Sequence, residues 1–280
     1  LSPQERSAHL LRVAQGIEDR LEELAQAESR DNGKPVSLAR RVDIPRAVSN
    51  FRFFATAILH TEQAAHATTL PAEMGGARAL NYTLRQPVGV AAAISPWNLP
   101  LYLFTWKLAP ALAAGCTVVA KPSEVTPATA ALLGEICRDA GLPRGVLNIL
   151  HGRGPEVGEP LVKHSLVKAV TFTGGTSTGV RIAQQVAPQL KKTSLELGGK
   201  NPYMVFADAD YDQALDTAVR AAFSNQGQIC LCGSRLYIQE EIYERFRDDF
   251  VARVQALQVG DPQDAATDQG ALVSHDHYQK

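Results

Sequence analysis

The 280-residue sequence has little that would staple, charge or anchor it. Four cysteines are too few for a disulfide scaffold and favour a reducing compartment. Neither sign of charge dominates. With 28 Lys+Arg against 29 Asp+Glu the formal net charge is −1, which gives no drive toward nucleic acid or an anionic membrane. No apolar run is long enough to span a bilayer. The nearest, Val88 to Ala120, is broken by Pro96, Asn98, Pro100, Pro110 and Gly115 and carries Lys107, whereas a spanning helix needs about 20 continuous apolar residues. Internal repeats, low-complexity tracts, a GxGxxG and the zinc patterns HExxH and HxxEH are all missing, so no metal site is expected. What remains, 45% hydrophobic and 20% charged residues, is the composition of a globular protein.

The sequence opens inside a folded element. Ser2, Pro3 and Glu5 form a helix-start signature, and Leu10, Ala14, Ile17, Leu21 and Leu24 share one helical face. It starts at Leu1 with no signal peptide and runs out through Ser274 to Lys280 with no closing element, His275-Asp276-His277 being read as solvated. An internal fragment of a longer, cytoplasmic protein is expected. Arg30 to Pro35 stops the first helix, a second covers 36–59, and 60–79 reads as loop. Asn81–Arg85 reads as an edge or hairpin strand. From Val88 to Leu197 short apolar strands alternate with helices. The fold class is therefore α/β, a doubly wound parallel sheet that binds ligands beyond the carboxyl ends of its strands. After Gly198-Gly199 a second α/β unit begins, with strands near 203–206 and 235–239. The expected domains are 1–197 and 198–280, the latter incomplete.

Several stretches carry candidate chemistry. Ser95-Pro96-Trp97-Asn98-Leu99-Pro100 links a strand to a helix through two prolines, and Asn98 is a rigid neutral donor suited to an oxyanion, or an ordinary Asx turn. Lys121 and Glu124 end a strand, either holding a ribose diol or pairing on a solvated loop. Gly152 to Gly158 follows a strand and precedes a helix, as a tight turn or a nucleotide site. Phe172 to Gly179 feeds a helix through Gly174 and Gly175, offering a phosphate free N–H groups or simply capping the helix. Glu196 lies in a segment expected to be largely buried, where desolvation would tune it toward general-base chemistry; an outward-facing place on the strand is the alternative. Cys230 sits just beyond the glycine of Asn225-Gln226-Gly227, able to act as an activated thiolate or to be an inert thiol. Cys116 and Cys137 read as core, and Cys232 is not in CxxC spacing with Cys230.

Taken together, PWNLP at 96–100, KPSE at 121–124, FTGGTSTG at 172–179, ELGGK at 196–200 and NQGQIC at 225–230 resemble the aldehyde dehydrogenase superfamily over essentially the whole chain. The resemblance implies Cys230 as nucleophile, Glu196 as the base that activates water, and Asn98 with the Cys230 backbone N–H as oxyanion hole. It implies an NAD cleft made by Ile94, Ser95, Pro96, Trp97, Lys121, Ser123, Glu124, Gly154, Gly174, Gly175 and Leu197, and places Lys107 where relatives have a lysine linked to proton exit. Glu124 would favour NAD over NADP by accepting from a 2′-hydroxyl and repelling a 2′-phosphate. The segment about 66–88 resembles an oligomerisation hairpin, so a homodimer or homotetramer of the full protein is implied. Two departures stand out: Gly175 replaces a serine common in relatives, and the EIFGP-type motif is absent.

Within the superfamily, residues 81–107 and 229–235 resemble the 2-aminomuconic and 2-hydroxymuconic semialdehyde dehydrogenases, which act on carboxylated semialdehydes. A cation should then face the substrate. Arg46 falls where relatives line the tunnel and would pair with a carboxylate, with Arg52 as the alternative and an exposed helix arginine as the plain one. A non-catalytic homologue with a binding or structural role, or a cofactor-free thioester hydrolase, would share parts of this pattern.

Overall fold

The computed structural model describes residues 1–279. Helix α1 (Pro3–Asp19) starts on the expected reciprocal cap: the Glu5 N–H donates to Ser2 Oγ at 3.2 Å and the Ser2 N–H to Glu5 Oε2 at 2.7 Å. The single helix read from periodicity breaks at Arg20, and α2 (Leu21–Asn32) carries on to Gly33. After Pro35, α3 (Val36–Leu38) runs through a π turn (Ala39–Asp43) into α4 (Ile44–Ala57). Pro45 explains the wide turn: it has no N–H to donate and its ring crowds the carbonyl four residues back.

Residues 60–79 are not all loop. Strand β1 (Ala65–Thr69) pairs antiparallel with β2 (Arg78–Tyr82), joined through Gly75 and Gly76 at φ 88° and 58°. Every β1 side chain is exposed. With no buried face there is no alternation to read, which is why the strand is invisible in the sequence.

The sheet then builds in the expected order: β3 (Val90–Ile94), α5 (Pro100–Ala113), β4 (Thr117–Lys121), α6 (Ala128–Asp139), β5 (Leu147–Ile149). A second π turn (Gly154–Gly158) leads into α7 (Glu159–Lys163), followed by β6 (Val167–Gly174), α8 (Thr176–Val186) and β7 (Lys192–Leu197). All pairings are parallel, in the order β5-β4-β3-β6-β7. The chain winds outward from β3 to β5, then returns to β6 on the other side. That reversal opens a crevice where β3 and β6 end. Beyond it, β8 (Pro202–Val205), α9 (Tyr211–Phe223), β9 (Arg235–Ile238) and α10 (Glu240–Gln255) form a smaller unit with β8 and β9 parallel, and α11 (His275–Tyr278) closes the described chain.

Apolar burial holds both sheet faces. On one, Leu10, Ile17, Phe51, Phe104, Leu108 and Leu133 form a continuous cluster; on the other, Ile94, Leu161, Val170, Phe172 and Ile182 do so. Each such side chain contributes roughly 1.5–3 kcal/mol. Central β3 is almost wholly buried, whereas edge β7 alternates, with Leu195 and Leu197 inward and Lys192, Ser194 and Glu196 exposed. Among the described residues no helix is long and apolar enough to cross a membrane.

One polar cluster lies inside this apolar body. Lys34, fully buried, donates to Asp43 Oδ2 at 2.8 Å and stands 3.7 Å from Glu28 Oε1. Burial pushes the Glu28 carboxyl up to about 7; Lys34 opposes this and Asp43 reinforces it. Gly33, beside Lys34, is left-handed at φ 86°, and a Cβ there would meet the Ala271 carbonyl oxygen at 2.5 Å.

Two stability predictions follow from these contacts. Gly33→Ala should cost about 2 kcal/mol or more, from backbone strain plus collision. Gly75→Ala, at a similar φ with nothing near its Cβ, should cost only about 1 kcal/mol; equal losses in thermal unfolding would contradict this. Glu28 is harder to ionise folded than unfolded, so its contribution is full below its ordinary 4.5 and lost as pH rises through about 7. The melting temperature of the native chain should therefore fall relative to Glu28→Gln between pH 5 and 8. A gap independent of pH would count against a protonated Glu28.

Candidate active site

The loop between β3 and α5 carries Asn98 and is gripped from below. Asn32 Nδ2 donates to the Trp97 carbonyl at 2.8 Å. Three donors converge on the Asn98 carbonyl: Asn225 Nδ2 at 2.9 Å, and Lys34 Nζ and Asn32 Nδ2 at 3.3 Å each. The first N–H of α5 is met as well: Pro100 has none, and the Leu101 N–H donates to Glu28 Oε2 at 3.3 Å. The Asn98 side chain is thus presented by a fixed backbone. Its Nδ2 gives one hydrogen to the Gln228 carbonyl at 2.9 Å, and an amide nitrogen carries two.

Gln228 belongs to the loop that leads to Cys230. Asn225, Gln226 and Gly227 are all left-handed, at φ 53°, 57° and 71°. For a glutamine this costs on the order of 1 kcal/mol, and the surroundings hold it. The Gln226 N–H donates to Gln269 Oε1 at 3.1 Å, Gln226 Nε2 to the Ala271 carbonyl at 2.8 Å, and the Val273 N–H to Gln228 Oε1 at 3.2 Å. Asn201 Nδ2 donates to the Cys230 carbonyl at 2.7 Å. Cys230 sits on the resulting turn, half-buried and free, while Cys116, Cys137 and Cys232 are free but buried. Burial pushes the Cys137 thiol up to about 12.

The crevice at the sheet reversal fits a dinucleotide. Gly175 caps α8 with no side-chain hydrogen bond, and no atom lies within 4 Å of where its Cβ would be. The first N–H groups of α8 are therefore available to a phosphate. Gly174 could not carry a Cβ, which would meet the Phe172 ring at 2.5 Å. Ser95 Oγ is buried without a partner at the carboxyl end of β3, beside buried Ile94 and half-buried Pro96. Lys121 Nζ donates to Glu124 Oε2 at 2.8 Å, and Ser123 Oγ accepts from the Val125 N–H. Burial of Glu124 is outweighed by Lys121 and by backbone donors including the Gly154 N–H, which hold its carboxyl below the usual range. Leu197 packs against Gly179 of α8. Trp97, expected in this crevice, has its ring 4.6 Å from His277. His277 is therefore packed, not wholly solvated.

Glu196 departs from expectation. It is exposed on edge strand β7, not buried as expected, because β7 buries only its other face. Glu196 lines a depression of about 460 Å³ with Lys107, Thr171 and Trp106. Burial pushes Lys107 down to about 8, with Glu196 opposing, and its Nζ donates to Thr171 Oγ1 at 3.1 Å.

Arg46 and the residues flanking Cys230 share a different and larger cavity. It encloses about 1080 Å³ and is lined by Arg46, Tyr102, Phe223, Ile229 and Leu231. Arg46 stacks over the Tyr102 ring at 5.3 Å and donates to its hydroxyl at 3.3 Å. Among the described residues it has no carboxylate partner. Arg52 does not serve: it is paired with Glu18 and lines a separate groove. So Arg46, Leu99 next to Asn98, and the neighbours of Cys230 meet around one space, while Glu196 opens to another. Sequence reasoning missed Lys34, Glu28, Asn32, Asn201 and Tyr102. Asn32-Gly33-Lys34 read only as a helix stop, because nothing local marks a lysine as buried. Among the described residues no group of three or more His, Cys, Asp or Glu side chains could hold a metal ion.

Comparison with known proteins agrees with this geometry. The sequence pattern described as the Aldehyde dehydrogenase family matches residues 1–280. The chain is 54% identical over 279 residues to the 2-aminomuconic semialdehyde dehydrogenase of Bos taurus, covering 100% of the chain and 56% of that protein. It is 46% identical over 281 residues to the 2-hydroxymuconic semialdehyde dehydrogenase of Pseudomonas sp. (strain CF600), covering 100% and 57%. Among solved structures it is similar to the NAD+ complex of an aldehyde dehydrogenase from Bacillus cereus, at TM-score 0.92 and 38% identity, covering 100% of the chain and 55% of that one. The chain thus spans a little over half the length of these relatives. From the full-length family match and the shared fold, the chain belongs to the aldehyde dehydrogenase family.

Proposed function

We propose that the full protein oxidises an aldehyde to a carboxylic acid with NAD, through a thioester on Cys230, and that its substrate is a carboxylated semialdehyde of the 2-aminomuconic or 2-hydroxymuconic type. One observation carries this reading: a half-buried free cysteine lies on a strained turn whose Gln228 carbonyl is tied to the Asn98 amide at 2.9 Å.

The Cys230 thiolate adds to the aldehyde carbon and leaves an oxyanion. The second hydrogen of Asn98 Nδ2 and the Cys230 backbone N–H stabilise it, donors fixed before the charge develops. NAD, when bound, supplies a hydride acceptor. Gly174, Gly175 and the start of α8 would hold its pyrophosphate, and Lys121, Ser123 and Glu124 its adenosine ribose, with Glu124 disfavouring a 2′-phosphate. Ile94, Ser95, Pro96, Trp97, Gly154 and Leu197 would line the cleft. Glu196 takes a proton from water, and the resulting attack on the thioester releases the acid and restores Cys230. This role rests on the family resemblance, since Glu196 lines a different depression from the Arg46 cavity.

Arg46 is the specificity element. A guanidinium without a carboxylate partner, steadied by Tyr102 in the cavity beside Ile229 and Leu231, suits a substrate carboxylate. The β1–β2 hairpin exposes Leu80 and Tyr82 and supports a homodimer or homotetramer. The free cysteines accord with a reducing, cytoplasmic setting.

NADH formation by the full-length gene product, with a panel of semialdehydes, tests the reading. Cys230→Ser should lower kcat by about 10³-fold or more. Glu196→Gln should keep an initial burst of NADH and slow the steady state about 10²-fold. Arg46→Met should lower kcat/KM for carboxylated aldehydes by roughly 10²-fold and for neutral ones by less than about 3-fold. Equal loss for both classes would remove Arg46 from the account. No NADH with any aldehyde would leave a non-catalytic homologue.

A further inference from the structure

We infer that Lys34 is a positioning residue for the oxyanion hole, acting on Asn98 through the Asn98 backbone carbonyl. The inference rests on the reading of Asn98 as an oxyanion donor. Lys34 is remote from Cys230 in sequence, fully buried, and part of no nucleotide motif. Yet its ammonium reaches the carbonyl of the one residue whose side chain must be held still, at 3.3 Å.

The surroundings show what this contact does. Asn32, Lys34 and Glu28 address Trp97, Asn98 and Leu101 in register, two as donors to carbonyls and Glu28 as acceptor from an N–H. The segment at the end of α2 therefore holds the loop at both ends. From the opposite side Asn225, in the loop that leads to Cys230, donates to the same Asn98 carbonyl at 2.9 Å. A carbonyl oxygen has two lone pairs, and here Asn32, Lys34 and Asn225 crowd it. Rotation of the Asn98–Leu99 peptide would leave a buried ammonium facing only Asp43 and Glu28. The ion pair with Asp43 would remain, but one buried N–H of the ammonium would lose its acceptor, and that cost disfavours the rotation.

A buried lysine between two acids is an expensive way to fill space, and apolar residues of equal volume would pack as well. The cost is explained if the cation is needed to hold one peptide plane. Misplacing a catalytic donor by about 1 Å can lower a rate about 10²-fold without touching the reacting groups.

A double-mutant cycle in the full-length protein tests this. Lys34→Met is made with native Asn98 and with Asn98→Ala; where Lys34→Met alone does not fold, the neutral set Lys34→Met, Asp43→Asn, Glu28→Gln replaces it. With native Asn98, kcat should fall about 10-fold or more while KM for NAD holds within about 2-fold. In the Asn98→Ala background the same change should cost less than about 2-fold. Lys34→Arg should recover part of the loss. Amide exchange over 97–101 should quicken in Lys34→Met. Equal losses in both backgrounds, or unchanged exchange, would overturn the inference while leaving the dehydrogenase reading intact. An inactive native enzyme would overturn that reading, and this inference with it.

Discussion

The carboxyl end of β3 is where fold and chemistry are tied together. The strand is central and almost wholly buried, so its position is set by apolar packing on both faces. Immediately beyond it, Asn32, Lys34 and Asn225 converge on two carbonyls of the loop that carries Asn98. Pro96 and Pro100 remove backbone freedom from the same loop, and the Ser95 hydroxyl beside them is buried without a hydrogen-bond partner. The nucleotide crevice and the proposed oxyanion donor therefore share one rigid base.

The Cys230 loop is fixed differently. It depends on left-handed Asn225 and Gln226, conformations paid for by contacts with Asn98 and with residues 269–273. The two halves of the proposed site hold each other: Asn225 donates to the Asn98 backbone, and the Asn98 side chain donates to the Gln228 backbone. Such reciprocal contacts create a preorganised donor and a strained turn together. The Arg46 cavity opens beside this pair and is also lined by Arg41, Arg220 and Arg253, so the proposed carboxylated substrate would be drawn by local cations. The near-zero net charge offers no general attraction for an anion.

The alternation of apolar strands and helices from 90 to 197 was legible because each strand is buried by neighbours that impose a simple pattern. The glycines at 174–175 were legible as a turn from strand to helix, although only Gly174 is crowded by a neighbour and Gly175 has room for a side chain. Strand β1 was not, since all its side chains face solvent and carry no period. Glu196 was misjudged because burial of an edge strand depends on what lies beside it. The polar cluster of Glu28, Lys34 and Asp43 was hidden for the opposite reason: charged residues normally face water, and only tertiary packing shows that these do not. Motif residues were readable one by one; the network that aims them was not.

The central claim is that Cys230 carries the substrate as a thioester. Its most direct test is mass spectrometry of acid-quenched full-length Glu196→Gln after mixing with NAD and a carboxylated semialdehyde. The account predicts an acyl adduct on the peptide holding Cys230, located on that sulfur and removed by hydroxylamine. An adduct on Cys232 alone, or turnover with no adduct on any cysteine, would contradict it.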